Sequence, residues 1–378
     1  MTTPTTPNPN PSPTPDQLGF RMPAEWERHE ATWIAWPHNR EDWPGKFAPT
    51  PWVYSEIVRV LTRHEPVNIV VADWSMRRKA SRMLEAAGAH MGRVRFFKAA
   101  TDRVWLRDSA PSFVVRDGGP LGVEGEPSRS VAMVNWKFNA WAKYDNHQED
   151  KRLGRRIARK TGLRRWVPRV EIDGEPRRVV LEGGAIDVNG KGTLLTTEEC
   201  ILSDVQERNP GLTREGYERI FAKYLGVSRV VWLNRGVHGD DTHGHVDDIA
   251  RFVDPSTVVT VVEPNEADPN HEPLRENLER LLAARDQDGN RLRVVELPMP
   301  APVTFEGEAL PASYANFYIA NGVVIVPTFN DPNDRVALNT LADLFPDREV
   351  VGIHCLDLVL GLGTLHCLTQ QQPAAPEW

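Results

Sequence analysis

The stretch VVLEGGAIDVNGKGTLLTTEECI, from Val179 to Ile201, decides the fold class of this chain. It contains short apolar runs on both sides of Asn189-Gly190, and an Asn-Gly pair between such runs is a strong local sign of a β-hairpin. A helical pattern follows at residues 213–225, and then another apolar run, RVVWL. Two strands therefore precede one helix and one further strand. This order predicts an α/β protein that lacks the strict alternation of a doubly wound sheet.

Similar elements recur over most of the chain. Runs rich in Val and Ile that end in Gly, Pro, Asn or Asp are typical of strands, as in ATWIAWP, VNIVVAD, VRFFKAA, VAMVNW, STVVTVV, RVVELP, GVVIVP and EVVGIHC. Helical patterns occupy residues 51–64, 73–87, 148–161, 213–225, 273–286 and 334–344. Because no linker divides the chain after residue 20, we expect one domain at residues 21–378. A disordered Thr/Pro/Asn-rich tail is expected at residues 1–20.

The composition argues against several classes of function. The net charge is −7, with 45 basic and 52 acidic residues and no dominant basic segment, so nucleic acid is not an expected partner. No run of about 18 apolar residues occurs, so we expect no membrane partner. Three cysteines are too few for a disulfide framework and form no CxxC pair, which favours a reducing cytoplasm. No glycine-rich nucleotide motif follows a strand.

Two segments join a carboxylate to a turn or to glycines. In WLRDSAP, Trp105 and Asp108 could form an aromatic wall and an acceptor for a cation, although a local ion pair explains the Arg-Asp sequence equally well. In LEGG, the two glycines after Glu182 allow the backbone to approach another group closely. A simple hairpin bend is the alternative.

The segment GDDTHGHVDD, residues 239–248, is dense in ionisable side chains. The following apolar residues keep helical spacing, which predicts that His245 and Asp247 lie in the first turn of a helix, where the dipole favours a carboxylate. A metal site is an alternative because His and Asp are both ligands. However, neither HGH nor HVD has the i, i+4 spacing of a helical zinc pair.

Near the C-terminus, GLGTLHCLTQQQP contains Cys367, which is either a nucleophile or a buried apolar residue. Taken together, the four segments supply a thiol, a histidine and several carboxylates. This set fits nucleophilic catalysis by cysteine with a histidine as general acid and base. The carboxylates would then bind a cationic substrate such as a planar guanidinium through paired hydrogen bonds.

The motifs MPAEWERHEATWIAWP, WLRDSAP, WKFNAW, LEGGAI, LLTTEEC, GDDTHGHVDDIARFV, NFYIANGVVIVPTFND and LHCLTQQQP resemble the agmatine deiminase family. That family belongs with the Porphyromonas-type peptidylarginine deiminases in the guanidine-modifying (pentein) superfamily. The resemblance implies a five-bladed α/β propeller of ββαβ units around a central active-site cleft. It also implies hydrolysis of agmatine to N-carbamoylputrescine and ammonia, in polyamine and putrescine biosynthesis, without a metal or organic cofactor. A homo-oligomer is possible.

The resemblance also implies a role for each candidate residue. Cys367 matches the nucleophile and His245 the general acid and base. Asp108 and Asp247 match the carboxylates that bind the guanidinium. Glu182 matches the acid that orients the histidine, and Trp105 the aromatic residue beside the substrate. Alternatives are a deiminase of free or peptidyl arginine, an amidinotransferase and a non-catalytic binding protein.

Six positions depart from the family pattern: Ala110, Ala185, His243, Asp248, Leu362 and Thr364. The usual sequences there are RDTGP, EGGS, DTDGHVDN and GGGN. All of the candidate catalytic residues are retained. We therefore expect the departures to cluster around the cleft entrance and to affect the far end of the substrate rather than the reaction.

Overall fold

The structure, a computed structural model, describes residues 13–117 and 130–376. Within these residues the α-helices are α1 (Thr50–Leu61), α2 (Trp74–Ala87), α3 (Leu106–Ser109), α4 (Asp150–Thr161), α5 (Glu198–Leu202), α6 (Arg214–Leu225), α7 (His271–Ala283), α8 (Asn333–Leu344) and α9 (Leu365–Leu368). All six predicted helices are present. Their ends follow local signals, as in α2, where the side chain of Asp73 accepts from the backbone N–H of Met76 and Gly88 ends the helix at φ +79°.

The strands of the described residues form five sheets of three or four strands and two hairpins. In chain order they are β1 (Phe20–Arg21), β2 (His29–Ala35), β3 (Val67–Val71), β4 (Val94–Lys98), β5 (Ser112–Arg116), β6 (Val131–Val134), β7 (Arg165–Trp166), β8 (Arg169–Ile172), β9 (Glu175–Arg178), β10 (Asp187–Val188), β11 (Thr193–Thr197), β12 (Arg229–Leu233), β13 (Ala250–Phe252), β14 (Thr257–Val262), β15 (Arg293–Pro298), β16 (Thr304–Phe305), β17 (Glu308–Ala309), β18 (Tyr318–Ala320), β19 (Val323–Thr328), β20 (Glu349–His354) and β21 (Gln370–Pro373).

The five larger sheets share one order of pairing. Their strand orders are β1-β5-β6-β7, β10-β11-β12, β13-β14-β15, β18-β19-β20 and β21-β2-β3-β4. In each sheet an antiparallel pair is followed by a parallel strand, and a helix crosses between the parallel strands. The predicted α/β class, with two strands before a helix, is confirmed.

The hairpin predicted around Asn189-Gly190 is also confirmed. Strands β10 and β11 pair antiparallel, with Val188 opposite Leu194. Gly190 has φ +70°, a left-handed conformation that glycine adopts without steric cost. The hairpin directs the preceding LEGG segment toward the interior, where Glu182 is 1% exposed.

Strand β21 pairs antiparallel with β2, so the end of the chain joins a sheet built from its beginning. Helix α9, which precedes β21, contacts α3 and β19. The strands β3, β14 and β19 are rich in Val and Ile and almost entirely buried, as expected for parallel strands covered by helices.

Two predictions need correction. Residues 1–12 of the predicted tail lie outside the described residues, but Asp16–Leu18 form a 3₁₀ turn and the side chain of Phe20 is buried, so the ordered chain begins before residue 21. The predicted helix after His245 is wrong. Val246–Asp248 form a 3₁₀ turn and strand β13 follows, because Ala250–Phe252 pair with β14. Among the described residues, no helix has the length and apolar character needed to cross a membrane.

Candidate active site

A cavity of about 400 Å³ is lined by residues of α3, α9 and the loops that precede these helices, and by residues from the segments 41–44, 141–146 and 241–242. Three of the predicted residues, Cys367, Asp108 and Trp105, reach its wall. Other lining residues include the acids Glu41, Asp42 and Asp241, the base Arg103 and the aromatic residues Trp141 and Tyr144. A cavity of this volume suits a small-molecule ligand.

Cys367 lies in the single turn of α9, and its side chain is buried. Its Sγ accepts a hydrogen bond from Nδ2 of Asn316 at 3.1 Å and lies 3.7 Å from Oδ2 of Asp247. Burial raises the pKa of the Cys367 thiol well above its ordinary value, and the negative charges of Asp247 and Asp108 raise it further. The thiol form therefore predominates before a cation enters, and a bound cation shifts the balance toward thiolate.

His245 lies between three carboxylates. Its Nε2 is 3.7 Å from Oε2 of Glu182, and its Nδ1 is 3.9 Å from Oδ1 of Asp108 and 4.0 Å from Oδ1 of Asp247. Neither ring nitrogen has a hydrogen-bond partner among the described residues, although the ring is fully buried. Burial lowers the pKa of His245, but the negative charge of Asp108 and contact with Cys200 and Glu182 raise it well above its ordinary value. The imidazolium form is therefore stable in this site.

Asp108 is held by two donors from different segments. The backbone N–H of Gly184 donates to Oδ1 at 3.0 Å, and Nε1 of Trp141 donates to Oδ2 at 2.9 Å. Burial raises the pKa of Asp108 to about 6; His245 lowers it, whereas Asp247 and Glu182 raise it. A Cβ at Gly184 would lie 2.5 Å from Nδ1 of His245, so close backbone approach explains this glycine better than a bend alone.

Asp247 is oriented by a histidine that sequence reasoning did not single out. Nδ1 of His366 lies 2.6 Å from Oδ2 of Asp247, and Nε2 lies 2.8 Å from Oε2 of Glu25. The second oxygen of Asp247, Oδ1, is buried and has no hydrogen-bond partner in the described part of the chain. Burial opposes ionisation, but His366 holds the pKa of Asp247 below its usual value. One oxygen of an ionised carboxylate thus remains available to a ligand.

Glu25 anchors this contact to the rest of the fold. Its carboxylate accepts from Nη2 of Arg107 at 3.0 Å and from Nη2 of Arg251 at 2.9 Å. Although burial opposes it, the charges of Arg251, His366 and Arg107 hold the pKa of Glu25 well below its usual value. A buried charge of this kind is stable only with such partners.

Glu182 faces His245 on one side and Arg208 on the other. Nε of Arg208 donates to both carboxylate oxygens at 3.3 Å. Despite burial, Arg208 and His245 keep the pKa of Glu182 below its usual value. Glu182 is therefore an anion that stabilises the protonated ring of His245.

Trp105 packs beside the candidate nucleophile. Its ring lies 5.8 Å from that of Trp43, centroid to centroid. A Cβ at Gly363 would come within 3.0 Å of Trp105 and 3.1 Å of the Cβ of Cys367, so glycine permits their close packing. Trp105 thus forms an apolar wall next to the thiol.

The expected clustering of the departures at the cleft entrance is wrong for most of them. Leu362 lines the cavity, and His243 is half-buried with Nε2 3.2 Å from Oγ of Ser203. The other four are buried: Ala110, Ala185, Asp248 and Thr364. Sequence position places a residue next to a motif but does not say which side of the motif faces the solvent.

Within residues 13–117 and 130–376, two groups of buried side chains are close enough to share a metal ion. Their ligand atoms lie within 4.8 Å of one another, and the groups are Glu182, Cys200 and His245, and Asp247, Asp248 and Cys367. Each group contains two of the candidate catalytic residues, Glu182 and His245 in the first group and Asp247 and Cys367 in the second. The metal alternative therefore concerns the same residues and calls for a direct experiment.

The residues missed by sequence reasoning were present in the motifs. Glu25 lies in MPAEW, Trp141 in WKFNAW, Asn316 in NFYIAN, and His366 directly before Cys367. Their identity as buried hydrogen-bonding residues was not evident because each partner lies far along the chain, 341 residues away in the case of Glu25 and His366.

Comparison with known proteins identifies the family. Residues 21–373 match the Porphyromonas-type peptidyl-arginine deiminase family. The chain belongs to this family.

Individual relatives are named more specifically. The chain is 35% identical over 383 residues to an agmatine deiminase of Pseudomonas aeruginosa, covering 94% of this chain and 96% of that one. It is 36% identical to an agmatine deiminase of Stutzerimonas stutzeri, with coverage of 95% and 96%. The solved structure of an agmatine deiminase of Enterococcus faecalis superimposes with a TM-score of 0.84 at 32% identity, covering 96% of this chain and 98% of the other.

Proposed function

We propose that this chain is an agmatine deiminase that hydrolyses agmatine to N-carbamoylputrescine and ammonia, a step in polyamine biosynthesis. The observation that carries the proposal is the arrangement of Asp108 and Asp247 around buried His245, with Sγ of Cys367 3.7 Å from Asp247 at the cavity wall. Relatives that align over almost the whole chain are named agmatine deiminases.

The two aspartates are proposed to bind the guanidinium. A guanidinium is planar and presents its N–H groups in pairs, which match carboxylate oxygens. Oδ1 of Asp247 has no partner among the described residues, and it faces the same nitrogen of His245, Nδ1, that Oδ1 of Asp108 faces. Binding would place the guanidinium carbon next to the sulfur of Cys367.

The bound cation activates the nucleophile. Since the carboxylates raise the pKa of Cys367, a guanidinium that neutralises them favours the thiolate, and the thiol proton is released to solvent. Sulfur then forms a bond to the guanidinium carbon, and His245 donates its proton to a nitrogen that leaves as ammonia. The product of this step is an S-alkylthiouronium.

Water completes the reaction at the same carbon. His245, now neutral, takes a proton from water, whose oxygen bonds to the carbon of the thiouronium. The carbon–sulfur bond breaks, the electron pair returns to Cys367, and the remaining hydroxyl proton is released to solvent. The product is a urea, and His245 is again protonated. Glu182 and Asp108 support this role because both favour the imidazolium.

The charge of the cavity favours agmatine over arginine. Its described lining contains the acids Glu41, Asp42 and Asp241 in addition to Asp108, and two bases pair with these acids: Nη1 of Arg103 donates to Asp42, and Nζ of Lys143 donates to Asp241. A second ammonium group is attracted by this surplus of negative charge, whereas the α-carboxylate of arginine is repelled. Deimination of free or peptidyl arginine is the alternative, and an amidinotransferase would require an amine acceptor in place of water.

We propose that the five larger sheets form the blades of a five-bladed α/β propeller, which is one domain at residues 21–378. Five sheets share the same pairing order, and β21 joins the sheet that contains β2. Three buried free cysteines suit a reducing compartment such as the cytoplasm. An experimental structure checks the fivefold arrangement. Light scattering after size exclusion tests the possible homo-oligomer.

Steady-state kinetics on agmatine, arginine and a short arginine peptide test the proposed function. Ammonia and ureido product are measured for wild type and for Cys367→Ser. We expect the highest kcat/KM for agmatine and no turnover by the variant. A higher kcat/KM for arginine or the peptide would show that this compound, rather than agmatine, is the preferred substrate. Dependence on an added amine would indicate an amidinotransferase.

A further inference from the structure

The amide of Asn316 bridges Cys367 and a second buried residue. Its Nδ2 lies 3.1 Å from Sγ of Cys367 and 2.9 Å from Oδ1 of Asp248. An amide nitrogen carries two hydrogens, so it can donate to both atoms at once. The side chain of Asn316 is fully buried, and water does not compete for these bonds.

The other end of the amide fixes its orientation. Oδ1 of Asn316 accepts from Oγ1 of Thr364 at 2.8 Å and from the backbone N–H of His366 at 3.0 Å. A backbone N–H only donates, so the atom facing His366 must be the oxygen. The nitrogen is therefore the atom that faces Cys367.

We propose that Asn316 is a positioning residue that holds the sulfur of Cys367 and stabilises its thiolate, with Thr364 and Asp248 fixing the amide. The proposal rests on the proposed function in that it assigns Cys367 as the nucleophile. Thr364 and Asp248 are two of the departures from the family pattern. Both contact Asn316, so these departures act on the nucleophile rather than on the far end of the substrate.

The hydrogen bond from Asn316 and the anions that surround the thiol act in opposite directions on the pKa of Cys367. Burial and nearby anions raise the pKa of Cys367, whereas the donor from Asn316 lowers it. Ionisable groups that face Cys367 or its carboxylate neighbours are Tyr54, Asp108, Glu182, Asp240, His245, Asp247, Asp248, Arg251 and His366. A neutral donor contributes here because it stabilises the thiolate without adding charge.

Asp248 has an environment that suits a neutral acceptor. Burial raises its pKa well above the ordinary value, and the anions Asp247 and Asp240 raise it further. A protonated Asp248 accepts from Asn316 through Oδ1 without placing another negative charge beside Cys367.

The test is the rate of alkylation of Cys367 by iodoacetamide, without substrate, at fixed pH. Below the pKa this rate is proportional to the thiolate fraction, and mass spectrometry assigns the label to the Cys367 peptide. Loss of a hydrogen bond to a charged group raises the pKa by about one to two units, so Asn316→Ala is expected to slow alkylation about 10- to 100-fold. Thr364→Val, which keeps the size of the side chain, should slow it less.

Asn277→Ala is the matched control. Asn277 is equally buried, and its amide bonds the backbone of Arg235 and Asn234, but it lies outside the candidate active site. This variant should alkylate at the wild-type rate. Asp248→Ala should slow alkylation, and Asp248→Asn, which retains an acceptor oxygen, should restore it.

Unchanged alkylation in Asn316→Ala, or an equal decrease in Asn277→Ala, overturns the proposal. Asn316→Ala could fail to fold, which its thermal transition would show. In that case the alkylation rates of Thr364→Val, Asp248→Ala and Asp248→Asn test the proposal. An unchanged rate in all three of these variants then rejects the proposal. The assay uses no guanidine, so its outcome is separate from whether agmatine is the substrate.

Discussion

Nδ1 of His366 lies 2.6 Å from Oδ2 of Asp247, while Nε2 of the same ring lies 2.8 Å from Glu25. His366→Ala would leave two buried carboxylates facing each other without the ring between them. Removing one partner of a buried charged contact costs about 3–5 kcal/mol, so we expect a lower free energy of unfolding by about that amount. Denaturant titration measures this change. Since Asp247 would lose its orientation toward the substrate, kcat/KM should also fall by about 100-fold.

His90→Ala is the control for this substitution, because His90 is exposed and lies at the surface after α2. It should change neither stability nor kcat/KM. A His366→Ala protein with the stability and kcat/KM of wild type would contradict the role of His366 in holding Asp247.

The raised pKa of Asp108 predicts that kcat/KM decreases at acid pH. Its pKa is about 6 because of burial and the nearby anions, and its charged form is needed to attract a guanidinium. This carboxyl is protonated below that pH and ionised above it. The kcat/KM for agmatine, which reports ionisations of the free enzyme, should therefore decrease as the pH falls through about 6.

Trp141→Phe sharpens this test. The substitution removes the N–H that donates to Oδ2 of Asp108, so the pKa of Asp108 should rise and the acid limb should move to higher pH. Trp52→Phe is the matched control because Trp52 is 55% exposed and distant from this hydrogen bond. An acid limb that stays in place in Trp141→Phe would show that another group controls it.

Local sequence signals predicted the elements well. Asn189-Gly190 specified its hairpin, since an Asn-Gly turn depends on only four neighbouring residues. The helix predicted after His245 failed for a related reason. The spacing of Val246, Ile249 and Ala250 fits a helical turn, but pairing of β13 with β14 decides the conformation, and that contact is not local.

The residues of the candidate site also fall into two groups, those that a local motif reveals and those that only contacts between distant segments reveal. Cys367 and His245 were identified because reactive residue types stand in distinctive motifs. Glu25, Asn316 and His366 were not, since their importance lies in contacts between distant segments. The closeness of Asp108, Asp247 and His245 likewise depends on Gly184, whose missing side chain permits the approach.

Cys367→Ala is expected to abolish turnover, because no other group replaces the sulfur as nucleophile. The decrease in kcat should exceed about a thousandfold. Agmatine should still bind, since both aspartates remain, and calorimetry measures that binding. Cys355→Ala is the control: Cys355 is also buried and free, but it is not among the residues that line the cavity. Near-normal turnover in Cys367→Ala would falsify the proposed mechanism.

Metal removal distinguishes a hydrolase with a cysteine nucleophile from a hydrolase that depends on a metal ion. The two groups that could share an ion contain His245 and Cys367, whose proposed roles need their nitrogen and sulfur atoms free. Activity should therefore be unchanged after dialysis against EDTA. Added Zn²⁺ should inhibit, because thiolate and imidazole are its preferred ligands. Loss of activity in EDTA that is restored by a metal ion would support the metal alternative instead.

Leu362 combines backbone strain with a position on the cavity wall. Its φ of +66° is left-handed, which costs a residue with a Cβ roughly 1–2 kcal/mol relative to glycine. Leu362→Gly and Leu362→Ala both remove the side chain, but only glycine relieves the strain. We expect the glycine variant to be about 1 kcal/mol more stable than the alanine variant in denaturant titration. Both variants should raise kcat/KM for arginine relative to agmatine by a similar factor of about ten, because each widens the cavity. Equal stability of the two variants would show that the backbone is unstrained, and an unchanged substrate ratio would show that this wall does not contact the substrate.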